Sequence, residues 1–485
     1  MKRIATVLFC LLCASINAQQ LLLNDSISLK SNFNERRESI PIVDEFNEEL
    51  SMFIVDRKNI YLKNYNKSFE VLEEYKFERP KTSLKNIVQA CGSREGGFTF
   101  LITNTKNNKY NLINVSTQQQ NIKLLENEII KDNESFLKSF TYKNYIYLLA
   151  IRDKTSFLHL YQIDEKSRIT DMFYDLSNIQ FYEKSESQKT LYEILVKRFG
   201  LHPSIQLEFI DGSVPNSLES TSKTNKLYVK NNTLTLTLDG NNEYTHILKL
   251  NLKNSNIQDT IIKKPQLLNI DDQNSSVVKT NSFYEEDKLY QISSVRGQMR
   301  FFIQDLVQNK ILKEYTILKE DSIPFKNTPI IQDGGAYFNS HREMEKTQKF
   351  LRKIALSEVG ISVNSKSDTI EITLGGIKEI TGGAPMMGFA PVGGAVGVLA
   401  STYMTPTFYA YNSYTYTKST YIKCLFNSNF EHVEGDVNDN AFDKINKFSE
   451  KILNKKAETM FKYNDSILFG YYDSFKKLYF LYEFK

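Results

Sequence analysis

The sequence predicts an all-β fold, and three observations carry that reading. Short runs alternate apolar or aromatic residues with polar ones, which is the period of a half-buried strand. Turns rich in Asn, Asp or Gly separate the runs. The run–turn–run unit recurs along most of the chain. It is found as Met52-Phe53-Ile54-Val55, turn at Lys58-Asn59, Ile60-Tyr61-Leu62. It returns as Phe140-Thr141-Tyr142, turn at Lys143-Asn144, Tyr145 to Leu149, and as Leu227-Tyr228-Val229, turn at Asn231-Asn232, Leu234-Thr235-Leu236. Further copies turn at Asp287-Lys288 and Asn464-Asp465, with looser ones at Glu95-Gly96-Gly97 and Asp333-Gly334-Gly335. Such turn residues tolerate positive φ and hydrogen-bond their own backbone, so each copy reads as a β-hairpin.

Most copies are followed by one or two more strands, for example Phe157 to Ile163 and Met299 to Leu306. Each repeat is therefore a small antiparallel sheet. About seven irregular four-stranded sheets resemble the architecture of a β-propeller, in which radial packing leaves only short edges. No family's blade signature accompanies it, since the chain has no Trp and hence no Trp-Asp pair. A β-sandwich followed by a half-barrel is the alternative.

The N-terminal residues have the layout of a secretory signal peptide spanning 1–18. Lys2 and Arg3 precede an apolar run from Ile4 to Leu12, then Ala14-Ser15-Ile16-Asn17-Ala18. The run is too short to span a bilayer as a helix. Cys13 follows the bulky Leu12, whereas lipoprotein signals resemble one another in a small residue there. The expectation is an exported chain, in the periplasm, on the outer-membrane surface or outside the cell. The leader and the Asn-, Lys- and Ile-rich composition resemble exported proteins of Gram-negative Bacteroidetes. The net charge of +4 falls to +2 without Lys2 and Arg3, which gives no reason to expect nucleic acid or an anionic membrane as partner.

Residues 19–41 read as a linker or a loosely docked strand, and 42–485 as the propeller with insertions at 178–225 and 375–418. One or two short peripheral helices are expected. Ser185 to Arg198 has capping-box spacing at Ser185 and Gln188, with Leu191, Ile194, Leu195 and Phe199 on one face. Ala441 to Leu453 has Asn440 and Asp443 to cap it and Phe442, Ile445, Phe448 and Ile452 as its stripe. Arg342 to Leu356 fits helix or strand. Cys91 and Cys424 read as buried free thiols, with one disulfide as the alternative.

The insertion has no charged residue between Glu379 and Lys418. Gly382 to Leu399 is apolar but holds two prolines and six glycines, which speaks against a spanning helix. It is expected either to fold back and plug or cover the ring, or to display Met386, Met387 and Phe389 as an adaptable apolar contact. A hairpin turning at Asn412-Ser413 would place Tyr409, Tyr411, Tyr414 and Tyr416 on one face, either packed on the ring or stacked against a sugar.

No catalytic or metal-binding pattern is present. His159, His202, His246, His341 and His432 are scattered without ligand spacing, and there is no His-Glu-x-x-His or Gly-x-Ser-x-Gly. Glu434, Asp436, Asp439 and Asp443 form an acidic run, but helix capping accounts for its end. No cofactor is expected. The sequence favours a non-enzymatic binding or scaffold propeller that engages an envelope protein or a glycan through one ring face and the insertion. A polysaccharide hydrolase or lyase and a structural envelope component are the alternatives.

Overall fold

The computed structural model describes the chain except residues 1–18, 28–37, 57, 85, 105–106, 127, 185–186, 200–201, 269–276, 335–340, 367, 379–402 and 416–417. Seven sheets of four or five strands follow one another among the described residues. The first four-stranded sheet runs Glu38–Asp44, Glu49–Val55, Asn59–Tyr65 and Val71–Glu78 from inside out, each strand antiparallel to the last. The second begins at Asn86–Ser93, the third at Glu134–Tyr142 and the fifth at Lys279–Glu285, all with the same order. The fourth adds a short strand, Glu208–Ile210, parallel to Asn225–Lys230. The sixth is ordered Glu358–Lys366, Thr369–Ile377, Ser419–Asn427, Ile330–Asp333, Arg342–Met344.

The seventh sheet explains how the ring holds together. It consists of Lys455–Tyr463, Ser466–Asp473 and Leu478–Phe484, and its outer strand is Gln20–Ser26 from the other end of the chain. The first described strand is thus hydrogen-bonded to the last, so the circle cannot open without breaking a ladder. Glu38–Asp44 touches both Asn86–Ser93 and Lys455–Tyr463, which makes the leading strands the inner wall. The chain is a β-propeller.

Burial follows the radial order. The second strands are covered on both faces by neighbouring sheets: every residue of Gly97–Thr103 is buried. Outer strands such as Val71–Glu78 are largely exposed and carry Glu73, Glu74 and Lys76, charges that blunt an unpaired edge.

The hairpin turns adopt the backbone their residues suit. Lys143 and Asn144 have φ of 47° and 61°, and Asn231 and Asn232 have 51° and 56°, the two-residue turn whose twist matches paired strands. The turn expected at Asp287-Lys288 lies one residue earlier, at Glu286-Asp287, where both φ values are positive. Lys288 is the first residue of the next strand.

Five short helices decorate the sheets among the described residues: α1 Leu191–Leu195, α2 Leu218–Thr221, α3 Thr347–Ile354, α4 Pro406–Thr415 and α5 Ala441–Ser449. α5 starts where expected, with Asn440 and Asp443 forming a reciprocal capping box. It ends four residues before Leu453. α1 is shorter than the expected 185–198 helix: its capping box is Thr190 with Glu193, and Ser185 lies outside the described residues. Val196–Phe199 then pairs as a strand. The ambiguous segment resolves into the strand Arg342–Met344 followed by α3. Cys91 and Cys424 are buried free thiols in the second and sixth sheets. Among the described residues no helix is long and apolar enough to cross a membrane.

Candidate functional site

The strands Thr369–Ile377 and Ser419–Asn427 pair to their ends, with Ile377 opposite Ser419. A tight turn would suffice to join them, yet residues 378–418 intervene. Gly375 belongs to the first of these strands, and the reason is contact distance. A Cβ there would lie 2.3 Å from the Thr420 carbonyl oxygen of the facing strand.

The tyrosine-rich half of the insertion is not a hairpin. Pro406–Thr415 is the helix α4. Two local features favour that outcome. Thr405 caps it, its hydroxyl accepting from the Phe408 amide at 3.0 Å, and Pro406 occupies the first turn, where no donor is missed. Phe408, Tyr411 and Tyr414 recur at three-residue spacing and face the same cluster as Phe442 and Ile445. Asn412-Ser413 therefore makes no turn, and the four-ring face does not form. Tyr416 lies outside the described residues, as do Met386, Met387 and Phe389.

The three described tyrosines are engaged internally. Tyr411 is 7% exposed, packs edge-on to Phe442 at 5.5 Å and donates to Asn446 Oδ1 at 3.3 Å. The Tyr414 hydroxyl accepts from Asn440 Nδ2 at 2.9 Å and donates to Asp443 Oδ1 at 3.2 Å. Burial pushes its pKa up to about 12. The Tyr409 ring lies under the Lys138 ammonium at 5.5 Å. Burial first, then the neighbouring Glu208 carboxylate, raises its pKa further.

These contacts place the segment on the ring axis. Tyr403 is buried in one cluster with Ile40 and Ile42 of the first inner strand and Ala90 of the second. Tyr409 meets Lys138 of the third inner strand and Glu208 of the fourth sheet. Thr405 donates to the Met460 carbonyl of the seventh. A second excursion meets it: α2 packs on the sixth sheet and on α4, and Ser413 hydrogen-bonds the hydroxyls of Ser217 and Ser220, the latter at 2.8 Å. Residues 403–415 thus plug the wall formed by at least five sheets.

Beside the roots of the insertion lies a cleft of about 460 Å³. Its lining includes Gln332, Arg352, Lys353, Lys378, Lys418 and Thr420. The Lys353 ammonium donates to Gln332 Oε1 at 2.6 Å. Burial, then the charges of Arg342, Lys418, Arg352 and Lys378, hold its pKa below the ordinary lysine value. Among the described residues no Asp or Glu lines the cleft. Sequence reading missed it because its cations come from three separate stretches of the chain.

Several other ionisable groups have partners within the fold. His159 lies between Asp171, at 3.1 Å, and Glu134, at 3.7 Å, with Tyr161 donating to Glu134 at 2.7 Å. His246 pairs with Asp259. His341 is exposed and sits 2.7 Å from Asp333, whose hydrogen bond raises the imidazole pKa. Asp443 is committed to capping α5. No group of three or more His, Cys, Asp or Glu with metal-binding geometry occurs among the described residues.

No family model matches the chain, and no curated protein matches its sequence. Among solved structures it is similar to an oligogalacturonate lyase in complex with manganese, at 9% identity over 96% of this chain and 97% of that one, TM-score 0.33. It is also similar to Kluyveromyces lactis Hsv2, at 8% identity over 93% and 98%, TM-score 0.29. A third is the Dos1 propeller, at 10% identity over 73% and 83%, TM-score 0.26.

Proposed function

We propose that this chain is an exported, non-enzymatic binding or scaffold propeller of the cell envelope. It holds an envelope protein or a glycan on the face from which the insertion emerges. One observation carries the reading: residues 403–415 occupy the axis, where side chains of many sheets would otherwise converge on a substrate. Glu208, an acid of that region, is taken up by Lys138 at 3.6 Å and by Tyr409. What the insertion adds beyond the plug is then free to serve as contact surface, in keeping with the rule that binding residues sit on loops held by a rigid scaffold.

The test compares the full chain with a variant lacking Gly382 to Leu399. Purified envelope glycan and envelope extract are presented to each, and retained material and sugar release are measured. The expected result is retention by the full chain, at least tenfold less by the deletion variant, and the same melting temperature for both. Equal retention by the two proteins, or catalytic release of saccharides, would overturn the proposal.

A further inference from the structure

We infer that the cleft at the insertion's root, lined by Arg352, Lys353, Lys378 and Lys418, binds an oxyanion, a phosphate or sulfate group that is either free or esterified to a glycan. The inference deepens the proposed binding role and rests on the same face of the sixth sheet.

Four cations line one space of about 460 Å³, with no carboxylate among its described lining residues. Part of this has an ordinary explanation. Arg352 and Lys353 stand in the last turn of α3, where a cation favours the helix dipole. That account does not extend to Lys378 and Lys418, which lie on the two strand ends of the insertion, far from α3 in sequence.

Two described acids of the sixth sheet are engaged elsewhere. Asp333 is held by His341 and by the Tyr421 hydroxyl at 2.6 Å. Glu358 is bonded to Lys279 at 2.7 Å. The Lys353 ammonium donates to the neutral Gln332, and it is held below its ordinary pKa by burial and by its cationic neighbours. Clustered like charge raises the free energy of the empty site. An anion relieves that repulsion, so charge-assisted hydrogen bonds there gain more than they would at a neutral surface. Ser357 and Thr420 add hydroxyls to the lining, and esterified oxyanions offer acceptors for both kinds of donor.

Calorimetric titration of the full chain with inorganic phosphate, sulfate and a sulfated oligosaccharide tests this. A neutral oligosaccharide of equal length serves as the reference. Wild-type protein is expected to bind at least one charged probe and not the neutral one. The exposed single variant Lys378→Gln and the double variant Lys378→Gln/Lys418→Gln are expected to lose tenfold or more in affinity while melting at or above the wild-type temperature. Equal affinity for free ion and ester would assign the site to the ion itself, and tighter binding of the ester to the glycan. No binding of any charged probe, or unchanged affinity in the double variant, would overturn the inference. Either outcome is separable from the fate of the proposed function, because partner retention that persists in the double variant leaves that proposal standing.

Discussion

Replacing Tyr411 by alanine is expected to destabilise the fold by about 3 kcal/mol, the cost of emptying a large buried aromatic site. Its ring packs on Phe442 between α4 and α5, and its hydroxyl already bonds Asn446, so no compensating exposure exists. Tyr403→Ala should behave alike, because that ring fills the cluster shared by the first and second sheets. Chemical denaturation followed by far-ultraviolet circular dichroism checks both. A sugar-stacking role would show the opposite pattern, with binding lost at unchanged stability.

The second large effect concerns Asp239. Its carboxylate lies between two buried ammoniums, Lys226 at 3.0 Å and Lys264 at 3.6 Å. It also accepts from the Thr245 and Ser282 hydroxyls at 2.6 and 2.8 Å. Lys226 in turn donates to Asn281 at 2.8 Å. The network ties the fourth sheet to the fifth through polar groups rather than apolar packing. Asp239→Asn leaves two cations in a dry site, an arrangement that costs about 3–5 kcal/mol when one partner of a buried pair is removed. Burial alone would raise the Asp239 pKa, but Lys226, Lys264 and the hydroxyls outweigh it and hold it at about 2, below the ordinary 3.8. A carboxylate so depressed contributes stability that is complete above pH 3.8 and is lost as pH falls towards 2. That loss amounts to roughly 2 kcal/mol. The wild-type acid limb should carry this slope, and the Asn variant should lack it. Stability measured at pH 2, 3 and 5 distinguishes the two, and an Asn variant as stable as wild type would mean the lysines find other partners.

Much of the sheet framework was legible because its signals are local. Lys143-Asn144 and Asn231-Asn232 specify two-residue turns whatever surrounds them, and Asn440 with Asp443 specifies a helix start. The insertion was harder, because two periods fit the same aromatics. Tyr409, Tyr411, Tyr414 and Tyr416 satisfy a hairpin, while Phe408, Tyr411 and Tyr414 satisfy a helix. Thr405-Pro406 is the cap that decides between them. Gln20–Ser26 could be read as linker or strand, since its partner Leu478–Phe484 lies at the far end of the chain. The basic cleft left no mark in the sequence, because residues 332, 352–353, 378 and 418 become neighbours only through the sixth sheet.

Filling of the propeller axis by its own chain underlies both the proposed binding role and the internal engagement of the tyrosines. Hydrogen exchange of the backbone amides from Phe408 to Tyr414 tests it most directly. Protection equal to that of the inner strands Glu38–Asp44 and Lys455–Tyr463 is the result a seated plug requires. Exchange as fast as that of exposed turns such as 305–309 would show the axis open and would contradict the account.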